Sequence, residues 1–175
     1  MTARCRLSTR LACWQERRCG KRWVKAMSRQ NILLRLVNFW PPFLGAGIRV
    51  SREGPDLNEF VVRMKLHRWN ANYVGTQYGG SLYSMCDPFH MLILIHELGP
   101  NYVVWDKSAR IRFLRPGRGT VAARFSIPAA EIERIRAVVD EEGRHEPVFT
   151  VQVTNGAGET VAEVEKTLSI RKRRE

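Results

Sequence analysis

Cysteine is nearly absent from the body of this 175-residue chain. Cys5, Cys13 and Cys19 lie within the first 20 residues, and Cys86 is the one cysteine beyond them. No Cys-x-x-Cys pair or ligand-spaced histidine accompanies them, so a zinc site is not expected. One body cysteine cannot make a disulfide framework, and a reducing, cytoplasmic setting is expected. Long apolar runs are missing as well. Residues 32–48 come nearest to the roughly 18 that a spanning helix needs, but Arg35, Asn38 and Pro41-Pro42 interrupt them. No membrane span is expected, and the first 26 residues lack the apolar stretch of a secretory signal.

Acidic residues are scarce at both ends. Residues 1–30 carry nine Arg or Lys against the single acid Glu16, and residues 171–175 carry four bases against Glu175. The net charge of +12 therefore belongs to the ends, because residues 31–170 hold 16 bases and 15 acids. Binding to nucleic-acid phosphates needs charge on a face of the fold, so a nucleic-acid partner is not expected. The chain reads as a basic extension (1–27), a single domain (28–170) and a basic tail (171–175). The Arg-rich, acid-poor start also fits an organellar transit peptide, or sequence upstream of a true start at Met27.

Hydrophobic residues make up 44% of the chain, enough for a packed core. The spacing of Ile32, Leu33, Leu36, Val37 and Trp40 predicts a helix over 30–40, stopped by Pro41-Pro42. Strands are expected over 48–52, closed by a turn at 53–56, and from Phe60 to His67. Residues 70–77 read as a loop. Residues 79–98 are apolar almost all round, which predicts a buried central helix opened by Gly79-Gly80 and closed by Gly99-Pro100. A kink is expected at Asp87-Pro88, since proline has no N–H to donate to Ser84. Val103, Trp105, Ala109, Ile111 and Phe113 share one strand parity and Asp106, Ser108, Arg110 and Arg112 the other. A strand over 120–127, an amphipathic helix over 129–142 and a strand over 148–154 follow. After a turn at 155–158 comes the last strand, 160–170, with Ala162, Val164, Leu168 and Ile170 facing in. One long apolar helix embraced by a curved antiparallel sheet is an α+β architecture.

Two features carry chemistry. Asp87 is the one carboxylate in the interior of the apolar helix, Glu97 lying at its end, and an unpaired buried carboxylate is costly. Ser84 and His90, one turn away on either side, could satisfy it. Held at the edge of an apolar pocket, it could serve instead as a general base or nucleophile. The second feature is the run Asn72 to Gly80. Glycines where a helix begins expose unpaired backbone donors suited to an anion or an oxyanion. Arg110, Arg112, Arg115 and Arg118 cluster on one strand and its turn. They suit phosphate, or ion pairs with Glu163 and Glu165. His96-Glu97 reads as a helix-end interaction, His145 as a surface residue, and the tryptophans as core or interface.

The pattern Asn72-x-x-Gly75-Thr76-x-x-Gly79-Gly80, followed by Asp87, resembles the helix-opening motif of hotdog-fold acyl-CoA thioesterases of the phenylacetate-pathway type. Phe113-Leu114-Arg115-Pro116-Gly117-x-Gly119 resembles a strand ending in the same superfamily. Residues 30–170 as a whole are similar to its tetrameric acyl-CoA thioesterase-like branch, the DUF4442 group. The resemblance implies the hotdog fold and hydrolysis of an acyl-CoA thioester without a metal or cofactor. It implies Asp87 as base or nucleophile, amides of Gly79 or Gly80 on the carbonyl oxygen, and Asn72 as a positioning group. Thr76 and Ser84 join Arg110, Arg112 and Arg115 as expected substrate contacts. It also implies a homodimer or tetramer with sites between subunits. The histidine usual before Gly-Gly is Tyr78 here, and a phenol donates a hydrogen bond but takes up no proton at neutral pH. Tyr78 is therefore expected as a donor, and a non-catalytic acyl-CoA- or lipid-binding hotdog protein is the alternative. Neither an Asp-x-Asn-Pro-x-His nor a His-x-x-x-Pro-Gly run is present, which disfavours the hydratase branches of the fold.

Overall fold

The computed structural model describes residues 37–53 and 59–173. The chain divides into two compact units, Met1–Phe39 and Trp40–Glu175. Most of the first, with its basic extension and three cysteines, lies outside the described residues, as do most of the helix expected over 30–40 and the turn at 54–56.

In the second unit, Pro41-Pro42 begin an element of their own. They occupy the first turn of a short helix, α1 (Pro41–Ala46), where a missing N–H costs nothing. Strands β1 (Ile48–Arg52) and β2 (Phe60–Lys65) follow, then two helices, α2 (Gly79–Ser84) and α3 (Phe89–Leu98). Next come β3 (Tyr102–Phe113), β4 (Thr120–Phe125), the helix α4 (Ala129–Glu142), a two-residue β5 (Arg144–His145), β6 (Val148–Asn155) and β7 (Thr160–Lys172). All pairings are antiparallel, and the strand order is β1-β2-β4-β6-β7-β3, with β5 added on β7.

The helical segment lies on the inner face of this sheet. Phe89 of α3 meets Phe60 of β2 and Phe125 of β4, and His90 stacks on Phe149 of β6 at 4.8 Å between ring centres. Leu82, Met85, Cys86, Ile93, Leu94 and Leu98 are buried with them. Facing them are Val62, Met64, Val121, Val151, Val153, Val164, Leu168 and Ile170, also buried. Register shifts at Asp106/Ser108 and Val153/Thr154 add the local bends that let a sheet curl round a helix. The helix α4 buries Ile132, Ile135 and Val139, as its stripe predicts.

The central helix is two pieces rather than one. After Ser84 the amides of Cys86 and Asp87 bond three residues back, to Tyr83 and Ser84, and the ladder resumes with Leu92 bonding Pro88. Pro88 has no N–H to give, so the interruption falls where the sequence places a kink. On β3 the apolar parity does not hold throughout. Val104 and Asp106 turn inward, whereas Trp105 is 65% exposed, because the bulge at Lys107 reverses the alternation. Trp40 and Trp69 are exposed too, so none of the three described tryptophans belongs to the core.

Leu94 is fully buried in α3. Leu94→Ala is expected to lower unfolding stability by about 2–5 kcal/mol. A urea midpoint within error of the parent would contradict this placement of the core.

Candidate active site

The loop before α2 is tied down at both ends by side-chain amides. Asn70 is buried; it accepts from the His67 amide at 2.7 Å and donates to the carbonyls of Ala46 and Lys65. Asn72 closes the next turn, its Oδ1 accepting from the amides of Val74 and Thr76 at 3.1 and 2.9 Å. Its Nδ2 donates to Thr76 Oγ1 at 2.8 Å and to the Gln77 carbonyl at 3.4 Å. Gly75, at φ +77°, takes the left-handed position this turn requires. Gln77 then pins the loop to the sheet, its amide donating to the Gly117 carbonyl and its Nε2 to the carbonyls of Met64 and Gly119.

This scaffold delivers Tyr78 in extended conformation at the cap of α2, with Gly79 and Gly80 as its first residues. A β-carbon on Gly79 would lie 3.0 Å from the Phe113 ring, so the ring packs against bare backbone. Gly80 is covered in the same way by the Tyr78 ring. The first bond of α2 runs from Leu82 to the Tyr78 carbonyl, so the amides of residues 79–81 have no acceptor within the helix.

Asp87 lies in the interruption between α2 and α3. Its Oδ1 accepts from the Tyr83 hydroxyl at 2.8 Å and from Lys166 Nζ at 2.9 Å. The Asp87 carbonyl accepts a second bond from the same ammonium. Lys166 is fully buried, and its Nζ is also 2.9 Å from Asp106 Oδ1. The Asp87 side chain is 46% exposed, so the carboxylate is held from the inside and open on the outside. Burial first, and the neighbouring Asp87 carboxylate second, push the Tyr83 phenol well above its ordinary range and keep it a donor. Burial likewise pushes the Cys86 thiol up to about 12, which makes it inert packing.

Ser84 and His90 therefore do not satisfy Asp87. Ser84 donates to the Gly80 carbonyl one turn back, and His90 is buried between Phe125 and Phe149. Lys166 went unread in the sequence, although it continues the inward row Ala162, Val164, Leu168, Ile170. A lysine in phase with a buried row signals a partner carboxylate in the core.

Two clefts open beside α2. One, of about 560 Å³, is lined by Asn72, Thr76, Gly79, Arg115 and Arg118 together with Phe113 and Leu114. The other, of about 440 Å³, is lined by Tyr78, Gly80, Ser81 and Ser84 with Pro41, Pro42 and Trp69. Asp87 lines neither. Arg115 also donates to the Thr160 carbonyl. Arg110 and Arg112 stand on β3 and line neither cleft, Arg112 in an ion pair with Glu163 at 2.9 Å and Arg110 in register with Glu165. His145, expected at the surface, is half-buried, and His96 lies 3.8 Å from Glu97. Among the described residues no helix is long and apolar enough to cross a membrane.

The family model described as domain of unknown function (DUF4442) matches residues 29–170. No curated protein matches the chain. Among solved structures, a protein of unknown function from Pseudomonas aeruginosa, designated "Probable Thioesterase", superposes with a TM-score of 0.70 at 22% identity. That match covers 82% of this chain and 96% of the other. A protein of unknown function from Chlorobaculum tepidum gives 0.66 at 15% identity, covering 82% and 94%. A thioesterase from Haemophilus influenzae gives 0.61 at 19% identity, covering 81% and 90%. At these identities the likeness establishes the α+β hotdog fold.

His90 makes stability depend on pH. Burial, and secondarily the Lys166 charge, push its pKa down to about 4. Between an unfolded value near 6.5 and that level, the unfolded chain binds a proton that the folded chain refuses. Stability is therefore complete above about pH 6.5 and falls on acidification, by at most about 1.4 kcal/mol per pH unit. His90→Leu should lose less stability than the parent between pH 7 and 4.5, read from urea midpoints. Equal losses would contradict the assignment.

Proposed function

The chain belongs to the DUF4442 family and has the hotdog fold, and from that premise we propose that it hydrolyses acyl-CoA thioesters with Asp87 as the reacting carboxylate. The observation that carries this reading is the state of Asp87, anchored through one oxygen and nearly half exposed at a helix break. Both hydrogen bonds given to this carboxylate fall on Oδ1. It keeps an oxygen available, on the segment that begins with the unpaired amides of Gly79 and Gly80. The designations of the Pseudomonas and Haemophilus proteins point the same way.

In this reading the thioester oxygen accepts from the Gly79 or Gly80 amide, which stabilises the negative charge that develops there. The free oxygen of Asp87 takes a proton from water as the water attacks the carbonyl carbon. The carbon–sulfur bond then breaks, and the proton passes to the departing thiolate. Alternatively the same oxygen attacks directly, expels the thiolate and forms an anhydride that water opens. Tyr78 is an added donor. Asn72, with both ends of its amide engaged in the loop, positions Gly79 through that loop. Thr76 and Ser84 border the bound thioester, and Arg115 with Arg118 meets the phosphates of the CoA. Arg110 and Arg112 line neither cleft, and Arg112 is paired with Glu163.

The active assembly is a homodimer or a tetramer built from it. β3 ends the strand order and exposes Trp105, Phe113 and Leu114. A second copy paired along that edge would cover these side chains and wall the site near Asp87.

Asp87→Asn keeps the size and one acceptor but removes the charge. With hexanoyl-, palmitoyl- or benzoyl-CoA, hydrolysis should fall by at least ~10²-fold, the range for losing general-base catalysis. The variant should retain a cooperative melt. Parental turnover in a folded Asp87→Asn protein would refute the role of this carboxylate.

A further inference from the structure

We propose that Lys166 is the positioning residue for Asp87, and that Asp106 is the counter-ion that makes this possible. The inference rests on the thioesterase reading and adds the device that orients its reacting group. Lys166 stands in the inward row of β7, fully buried among apolar neighbours. An ammonium there is tolerable only if its donors are used. One goes to the Asp87 carbonyl, at the point where the helix is interrupted, and one to Asp87 Oδ1 at 2.9 Å. Asp106 Oδ1 lies 2.9 Å from the same nitrogen.

Gripping both the backbone and the carboxylate of one residue fixes where the side chain points as well as where it sits. Tyr83 reinforces the grip from one turn back, on the same Oδ1. Two donors thus converge on Oδ1, and no hydrogen bond or ion pair to Oδ2 occurs among the described residues. The two oxygens are divided into one that anchors and one that faces out to react.

Asp106 accounts for the charge. An ammonium paired with Asp87 alone would leave a pair with no net charge. With Asp106 beside it, two carboxylates share one ammonium, and the cluster keeps a net negative charge at its outer, exposed member. Asp106 reaches this place because the bulge at Lys107 turns it inward.

The experiment compares the parent, Lys166→Met, and the double variant Lys166→Met/Asp106→Leu, all in the full chain. The double variant removes the ion pair as a unit, so no buried charge is stranded if the single variant fails to fold. Hydrolysis of hexanoyl-, palmitoyl- and benzoyl-CoA is measured with the melting curve. In parallel, Asp87 is amidated with a water-soluble carbodiimide and glycine ethyl ester, and the product is mapped by peptide mass spectrometry. The folded double variant should lose about 10²-fold in kcat, the cost of a misplacement of about 1 Å. KM should stay at its parental value, because Lys166 touches no substrate, and Asp87 should be amidated severalfold faster. Parental kcat in the folded double variant would overturn the proposal, as would a loss of kcat matched by a loss of the melting transition. If the parent hydrolyses none of the three, the thioesterase reading fails. The amidation rate then decides the positioning alone, and a rate equal to the parent's overturns it.

Discussion

A single buried ammonium holds the centre of this protein together. Pro88 deprives the central helix of a donor, the helix breaks into α2 and α3, and the Asp87 carbonyl at the break is taken up by Lys166. The lysine comes from β7, a strand paired on both sides, so its backbone cannot shift to relieve a poor contact. Asp106 is brought to the same point by a bulge in β3. Helix, interior strand and edge strand therefore meet at one nitrogen atom. Such a cluster is a poor way to gain stability, because well-packed apolar side chains of the same volume do as well or better. What it supplies is an orientation for Asp87 that apolar packing could not give.

The loop before α2 solves a complementary problem. In the thioesterase reading, backbone amides are left without protein partners, yet held still. Asn70, Asn72 and Gln77 achieve this by satisfying the loop around them, through bonds to β2 and to the turn after β3. The Phe113 ring on Gly79 then needs a residue with no side chain. The glycines of the motif thus answer to packing, and replacing either would disturb a ring.

Elements with a strong local period were readable from sequence. The helix over 129–142 and its stripe follow from 3.6-residue spacing, and the kink at Asp87-Pro88 from the chemistry of proline. The strand with Ala162, Val164, Leu168 and Ile170 facing in follows from simple alternation. What escaped depends on contacts between distant segments. Lys166 lies 79 residues from Asp87, and no local rule pairs them. The inward turn of Asp106 needs a bulge that alternation cannot reveal. His90 seemed suited to Asp87 by helical spacing, but the sheet offered it two aromatic rings instead. Asn72 is legible as a positioning group from its motif, but that its hydrogen bonds lie within its own turn is not.

The most direct test is release of free CoA by the purified full chain from short, long and aromatic acyl-CoAs, set beside their binding measured by calorimetry. The account predicts saturable hydrolysis of at least one acyl class. Tight binding of an acyl-CoA with no release of thiol from any class would contradict it, and would make this protein a carrier built on a hotdog fold.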